Sequence, residues 1–275
     1  MQKAFLIIVS LFLLQAAQAQ FHEFGAIGGF THYFGDLNPQ FSFSMPRPAA
    51  GVFYRYNIKK RGAYRANINF GMLEFRDDVN KEEHYKQRNL SFRTNVIEVT
   101  NLIEFNFLEY DKSQKKKWFT PYLATGFTLF FFNPEAKYNG KWYALQPLGT
   151  EGQNDPNYSG VKKYTLYNFA IPFIWGFKFS LSKWNLGIEG GWRQTFTDYL
   201  DDVSGNYPSY ASLPGGSAGF AAQLSDRSGE NGGERIGKPN YQRGESPKKD
   251  AYLFVGVTVS YTIMRIQCPK PFSTR

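Results

Sequence analysis

Three histidines and one cysteine are the residues of this 275-residue chain that most often serve nucleophilic or metal chemistry. His22 and His32 fall in the first predicted strand and His84 in a long loop, and none has a GxSxG nucleophile signature nearby. No HExxH, CxxC, Walker A or dinucleotide-binding motif occurs. We therefore predict that the protein is not an enzyme and has no catalytic residue, metal site or cofactor. A hydrolase whose residues meet only in the folded barrel stays open as an alternative.

Carboxylates cluster in the segment from Asp198 to Val203, which reads DYLDDV. Such a cluster can surround Ca²⁺, but this one lacks the alternating ligand spacing and the central glycine of a calcium loop. We expect it to be a solvated strand end.

The segments that would position these residues alternate polar and apolar side chains, which is the period of a β-strand. From Tyr64 to Met72 the even-numbered residues are mainly apolar and the odd-numbered ones mainly polar. The pattern recurs around 97–107, 169–179 and 253–263, and further candidates lie at 21–34, 49–58, 118–132 and 184–198. Eight strands of this length suit a small transmembrane barrel.

The first 19 residues read as a signal peptide, with Lys3, an apolar run and a small-residue site ending at Ala19. The expected barrel covers 20–264, followed by a tail over 265–275. Cys268 is the only cysteine, so no intramolecular disulfide can form. The Cys268 thiol is either inert or cross-links a neighbour.

Connections between the predicted strands alternate between short turns and long loops. This alternation favours an all-β antiparallel outer-membrane barrel with short periplasmic turns, long extracellular loops and both termini in the periplasm. The polar loop at 205–249 is expected to be mobile. A soluble β-sandwich or lipocalin-like barrel is the alternative, but it would have to bury all the runs of Phe, Trp and Ile. Aromatics near strand ends indicate an interfacial girdle: Tyr64, Trp118, Phe119, Trp184, Trp192 and Tyr199.

Most of the formal net charge of +9 falls in the short turns and the tail. A basic surface can steer an acidic partner, or it can lie against anionic lipid headgroups, and the sequence leaves these two readings open. Nucleic acid is not expected, because no nucleic-acid motif accompanies the charge. The candidate partner-binding residues are Lys59, Lys60, Arg61, Lys115, Lys116, Lys117 and Cys268.

Charged residues on the polar faces of the strands are expected to meet inside the barrel. Eight strands enclose a space about wide enough for side chains to fill, so we interpret these residues as an ion-pair plug. A small-solute porin is the alternative. The predicted lumen network consists of Arg55, Arg65, Glu98, Glu104, Lys178, Glu189 and Arg193.

Several sequence blocks resemble the PorG-like outer-membrane barrels of the type IX secretion system, long described as an uncharacterised domain. They are GDLNP at 35–39, RNLSFRT at 88–94, GIEGGWR at 187–193, FTDYLDDVS at 196–204, DAY at 250–252 and Cys268-Pro269. The FTDYLDDVS run is the most specific, and no block matches in 205–249.

The resemblance implies a component of the secretion and gliding machinery that docks a periplasmic ring of PorK-like lipoprotein and PorN-like subunits. It implies no catalytic residue and no small-molecule substrate. The expected partners are therefore outer-membrane lipid and the ring subunits. An OmpA- or OmpX-like barrel with another role is the remaining alternative.

Overall fold

The computed structural model describes residues 21–110, 117–155, 161–231, 234–245 and 248–264, so the predicted signal peptide and the predicted tail lie outside the described residues. No helix in these ranges is long and apolar enough to cross a membrane. The strands are β1 (Phe21–Phe34), β2 (Arg47–Lys59), β3 (Gly62–Arg76), β4 (Ser91–Asn106), β5 (Phe119–Phe131), β6 (Glu135–Tyr138), β7 (Lys141–Ala144), β8 (Tyr167–Leu181), β9 (Trp184–Thr195) and β10 (Ala251–Met264). Two short helices, α1 (Glu83–Arg88) and α2 (Phe220–Ser225), and 3₁₀ turns at Asp77–Val79, Tyr210–Ser212, Gly216–Ala218 and Ser228–Asn231 lie in the loops.

Eight of the strands close into an antiparallel barrel, as the sequence predicts. The order around the wall is β1, β2, β3, β4, β5, β8, β9 and β10, and β10 pairs with β1 to complete the ring. Gly28 of β1, for example, lies opposite Ala50 of β2 and Val257 of β10. Closure leaves no free edge among these strands, so every backbone group of the wall can pair.

The two faces of the wall differ in polarity in the direction that a membrane requires. Outward residues are large, apolar and exposed, whereas arginines, lysine and glutamates point inward and are buried. A lipocalin-like barrel has the opposite arrangement. The structure is therefore a transmembrane barrel. The exposed apolar belt includes Phe24, Val52, Ile68, Phe70, Ile97, Ile103, Phe105, Leu123, Phe127, Phe173, Trp175, Phe177, Ile188 and Val257.

One pair of residues inverts this pattern. Asn101 points outward within the belt and accepts a hydrogen bond from the Tyr64 hydroxyl at 2.5 Å. Its neighbour Leu102 points inward and packs with Tyr122, Ala124 and Ile174. The strand alternation continues through both residues without a bulge.

The side chains that fill the interior change from charged to apolar along the barrel axis. Charged side chains fill the half nearer the short turns, which we call the short-turn end. An apolar cluster that includes Tyr33, Phe75, Phe92, Phe130 and Tyr252 fills the half nearer the long loops. Beyond this cluster the long loops fold over the opening as a cap, formed by residues 35–46, 77–90, 132–155, 161–166 and the described parts of 196–250.

The loops are more structured than the sequence predicts. The third long loop contains the β6–β7 hairpin, which turns at Asn139 and Gly140, both with positive φ. Strand β9 ends at Thr195 rather than at 198. In the loop predicted to be mobile over 205–249, the described residues form short helices, and Leu213, Ala221 and Ala222 make a buried cluster. These few apolar residues, together with buried polar contacts, hold the loop against its neighbours.

Candidate functional site

The lumen of the barrel contains a ring of polar side chains to which every strand of the wall contributes one member. The side chains of a strand point alternately inward and outward. One inward residue from each strand, at the same height along the barrel axis, is therefore enough to form the ring. All members are buried, with exposed fractions of 3% or less. The members in wall order are Glu23, Arg55, Arg65, Glu104, Tyr122, Lys178, Glu189 and Ser260.

Glu104 occupies the centre of this lumen ring. Its carboxylate forms ion pairs with Arg55 at 2.9 Å, Lys178 at 2.8 Å and Arg65 at 3.2 Å. Three cations around one carboxylate would be unbalanced, so two further carboxylates complete the ring. Glu23 lies 2.8 Å from Arg55, and Glu189 receives two hydrogen bonds from Arg65 at 2.7 and 2.8 Å. The ring therefore holds three positive and three negative side chains.

A second charged pair lies in the lumen beside this ring. Arg193 donates to Glu98 at 2.9 Å, and Asn69 and Tyr252 also donate to Glu98, at 2.7 and 2.6 Å. The structure thus places all seven predicted lumen residues inside the barrel, where each forms an ion pair with at least one of the others. Since the described side chains leave these charges inaccessible to water, the lumen is filled.

Sequence reasoning missed Glu23, Tyr122, Ser260 and Tyr252 as members of the lumen contacts. The sequence does indicate an inward position for Glu23, because this residue lies between the outward residues His22 and Phe24. Tyr122 had no such signal, since an aromatic residue in a strand is expected to face lipid. Its hydroxyl donates to Glu189 inside the barrel.

The cap carries a second group of buried charges, with carboxylates in excess. Arg88 donates two hydrogen bonds to Asp77, at 2.7 and 2.8 Å, and Arg243 donates to Glu151 at 2.9 Å. Asp36, Asp198, Asp201 and Asp250 are buried as well. The acidic segment is therefore not a solvated strand end as predicted. Backbone amides and hydroxyls, which the sequence pattern does not display, take the place of water around it.

The hydroxyl of Tyr33 lies between two of these carboxyls, 2.5 Å from Asp201 and 3.1 Å from Asp250. Leu200 and Val203 donate backbone hydrogen bonds to Asp250 and Asp201, both at 2.9 Å. The Tyr33 hydroxyl thus donates its one proton to both carboxyls in a three-centre arrangement, with Asp201 the nearer acceptor. Burial raises the pKa of both Asp201 and Asp250 well above the ordinary value, and the neighbouring carboxylates raise it further.

Burial also raises the pKa of three other carboxyls of the cap. The pKa of Asp36 rises to about 7, where the Glu245 backbone hydrogen bond opposes the shift and Asp198 adds to it. The pKa values of Asp198 and Asp202 rise to about 6. The cap consequently contains carboxyls whose protonation changes close to neutral pH.

The basic surface lies at the opposite end of the barrel. Lys59, Lys60 and Arg61 are exposed in the turn between β2 and β3. The next short connection lies against this turn, because Asn106 and Tyr110 donate backbone hydrogen bonds to Arg61 and Lys60 at 2.9 and 3.1 Å.

Lys117 extends this surface and pairs with Glu109 at 2.5 Å. The Lys117 hydrogen bond lowers the pKa of Glu109, and Lys60 and Arg61 contribute to the shift. The structure thus brings four of the predicted partner-binding residues to one surface. Lys115, Lys116 and Cys268 lie outside the described residues.

Aromatic side chains surround the wall at the short-turn end, as expected for a membrane interface. Trp118 packs on Phe119 and Phe179, and Trp184 packs on Tyr261. Trp192 faces outward near the long loops, where it contacts Phe34. Tyr199 is different from the prediction: it stacks on Tyr164 within the cap, at 4.5 Å between ring centroids.

The described histidines and carboxylates give no candidate metal site. No group of three or more His, Cys, Asp or Glu side chains among the described residues is arranged to hold a metal ion. His32 contacts the backbone oxygen of Ser42, and His22 contacts the hydroxyl of Tyr54. Both are therefore engaged in structural contacts.

Comparison with known proteins gives a family match and several similar barrels. The family model described as "Domain of unknown function (DUF6089)" matches residues 2–219. No curated protein matches the sequence.

Among solved structures, the chain is similar to Ail, the attachment invasion locus protein of Yersinia pestis, with 6% identity, a TM-score of 0.41 and coverage of 90% of this chain and 100% of that one. It is also similar to Neisserial surface protein A (8% identity, TM-score 0.40, covering 88% and 96%). A major outer membrane protein from Thermus thermophilus has 12% identity, a TM-score of 0.39 and coverage of 90% and 100%. Similarities this distant carry no inference about function.

Proposed function

The chain belongs to the DUF6089 family, whose model matches most of its length, and we propose that it is an outer-membrane component of the type IX secretion and gliding machinery. In this role the barrel anchors a periplasmic ring of PorK- and PorN-like subunits. The short-turn end faces the periplasm and the cap faces the exterior. The observation that carries the proposal is the basic surface at the short-turn end.

The blocks that resemble PorG-like barrels support the proposal because several of them meet in space. Asp36 from GDLNP, Asp201 from FTDYLDDVS and Asp250 from DAY influence one another within the cap. These residues come from segments far apart in the chain, and the Leu200 backbone amide donates to Asp250 at 2.9 Å, which joins two of those segments directly. The resemblance therefore covers one connected structural feature rather than scattered matches.

The distribution of charge supports docking at the short-turn end. Lys59, Lys60 and Arg61 project from one turn, and Lys117 lies on the neighbouring connection. Exposed cations on one surface favour and orient an acidic partner surface. Anionic lipid headgroups could attract the same residues, so the experiment must separate these two partners.

The filled lumen argues against the porin alternative. A permeation path needs continuous water, whereas the ring around Glu104 spans the interior and is followed by the apolar cluster and the cap. We expect no solute conductance from the purified barrel in planar bilayers.

The docking proposal is tested by reversing charge at one end of the barrel only. The test variant carries Lys59→Glu, Lys60→Glu and Arg61→Glu. The matched control carries Lys81→Glu, Lys137→Glu and Lys238→Glu, three exposed cations of the long loops, so that both variants change net charge equally. Each protein is extracted in mild detergent, and the amount of ring subunits that co-purifies is measured together with secretion by the cells.

We expect the test variant to lose ring subunits and secretion, while the control keeps both. Both variants should retain a folded barrel, seen as a gel mobility that changes on heating. If the test variant recovers as much ring as the control does, the contact assignment is wrong. If the unmodified protein itself recovers no ring under conditions that preserve other envelope complexes, the docking function is wrong.

A further inference from the structure

The loop between β1 and β2 begins in the cap, where Asp36 and Leu37 are buried, and its second part, residues 40–46, runs along the outside of the barrel wall. Two outward residues of β1 show this. His32 and Phe34 lie on the same face of the strand as the exposed Phe24 and Phe30, yet they are only 1% and 4% exposed. Loop residues cover them: Phe43 stacks on His32 with ring centroids 5.2 Å apart, and Phe41 packs on Phe34 at 5.4 Å.

Buried hydrogen bonds hold this loop in place. The side chain of Asn38 accepts from the backbone amide of Ser42 at 2.8 Å and donates to the carbonyl oxygens of Ser42 and Tyr33, both at 2.9 Å. The His32 ring nitrogen Nε2 lies 2.5 Å from the same Ser42 oxygen. Asn38 belongs to the GDLNP block, so one function of that block is to fasten the loop to the wall.

The loop exposes apolar side chains whose contact with water is unfavourable. Phe41 and Phe43 are 52% and 64% exposed, and Phe41 has a φ of +53°, a conformation that a bulky residue rarely adopts. The segment from Gln40 to Pro46 contains no charged residue. A strained backbone that exposes two phenylalanines indicates a contact that water does not supply.

The two phenylalanines continue the apolar surface of the wall. Phe34 contacts Phe41 and Phe43 on one side and Trp192 of β9 on the other, with ring centroids 5.4, 5.4 and 4.9 Å apart. An aromatic strip therefore extends from β9 across β1 to the loop. The nitrogen Nζ of Lys248 lies 5.5 Å from the centre of the Phe41 ring, which places a cation beside the strip.

We infer that residues 40–46 of this loop are seated in the membrane, with Phe41 and Phe43 inserted at the boundary between acyl chains and headgroups of the leaflet on the long-loop side. Lipid is the occupant because the segment that carries the two phenylalanines is uncharged and continuous with the lipid-facing belt. Aromatic rings are enriched at this depth, and Lys248 matches the anionic headgroups. The cap is thereby fixed to the bilayer on one side, independently of any partner at the short-turn end.

Spin labels on single cysteines measure the depth of the loop. In a Cys268→Ser background, Phe43→Cys reports on the loop. Phe173→Cys reports on the middle of the belt and Tyr241→Cys on the cap, since both side chains are more than half exposed. Each labelled protein is reconstituted in phosphatidylcholine vesicles containing some phosphatidylglycerol. Collision rates with oxygen, which concentrates in lipid, and with a water-soluble nickel chelate are then compared by electron paramagnetic resonance.

We expect the label at position 43 to collide several-fold more with oxygen than with nickel, as at position 173, whereas position 241 shows the reverse. Ser44→Cys, which keeps both phenylalanines, should agree with position 43 and serves if Phe43→Cys does not fold. Nickel accessibility at 43 and 44 equal to that at 241 would overturn the inference. Protection from both reagents would overturn it too, because it would place the loop inside protein contacts.

Discussion

The lumen and the cap both bury many charges, but they balance them differently. In the lumen, four cations face four carboxylates: Arg55, Arg65, Lys178 and Arg193 against Glu23, Glu98, Glu104 and Glu189. In the described part of the cap, the buried carboxyl groups outnumber the two buried arginines, Arg88 and Arg243. Asp36, Asp198, Asp201 and Asp250 have no ion pair of their own within 4 Å among the described residues.

This difference predicts two kinds of behaviour. A charge-balanced network in a buried lumen fails when one partner is removed. Carboxyls that are buried without a cation have raised pKa values instead and ionise as the pH rises, so the stability of the cap depends on pH. The barrel should therefore act as a fixed anchor and its cap as the adjustable part.

The largest effect is expected from Arg65→Met. This change leaves Glu189 without its bidentate donor and Glu104 with one cation fewer. Removing one partner of a buried ion pair costs about 3–5 kcal/mol. Urea unfolding of the detergent-solubilised barrel, followed by tryptophan fluorescence, measures the loss. A change below about 1 kcal/mol would mean that water reaches the lumen and screens these charges.

A smaller loss is expected from Gly35→Ala in the cap. A Cβ atom at this position would lie 2.0 Å from Asp250 Oδ1 and 2.1 Å from the Tyr33 hydroxyl, both buried. Forcing these groups apart should cost about 1–3 kcal/mol. Gly28→Ala is the matched control, because its Cβ would meet nothing within 4 Å. Protease resistance of the cap compares the two variants, and equal resistance would contradict the observed packing.

The pH response of the cap is expected to be smaller again. A carboxyl whose pKa is raised in the folded state stabilises that state fully below its ordinary pKa of 3.8, and this stabilisation is lost as pH rises through the folded value. For Asp36 the window runs from 3.8 to about 7. Hydrogen exchange of the cap amides, corrected for intrinsic rates, should show lower protection at pH 8 than at pH 5.

Asp36→Asn sharpens this measurement. The amide cannot ionise, so we expect the cap to be more stable at pH 8 than in the unmodified protein and to lose part of its pH dependence. Barrel amides serve as the internal control. An unchanged pH dependence would assign the response to Asp201 and Asp250 rather than to Asp36.

The smallest effect is expected from Arg76→Met. This change breaks an ion pair about as short as those of Arg65, but the pair lies in water rather than in the lumen. Arg76 and Asp78 lie 2.9 Å apart, but their side chains are 49% and 53% exposed. Exposed pairs contribute about 0–1 kcal/mol, because water and salt screen them. Urea unfolding should hardly distinguish this variant from the unmodified protein. A loss as large as that of Arg65→Met would show that burial is not what separates the two pairs.

The barrel itself could be predicted from the sequence because its signal is local. Alternation along β3, β8 and β10 determines which side chains face lipid and which face the lumen, and closure follows from eight such strands and their connections. The same alternation put Arg65, Glu104 and Lys178 on the inner face. The register between strands decides which of these residues touch, and it also brings Tyr122 beside them. No single segment encodes this register.

The cap shows what only the tertiary structure decided. Asp198, Asp201 and Asp202 are polar in sequence and were expected in water, but Tyr33, Thr150 and backbone amides of the loops surround them. Likewise, Phe41 and Phe43 gave no strand signal, and the Asn38 contacts place them on the outer wall. A strand pattern is repeated every two residues, whereas these environments arise from contacts between segments far apart in the chain.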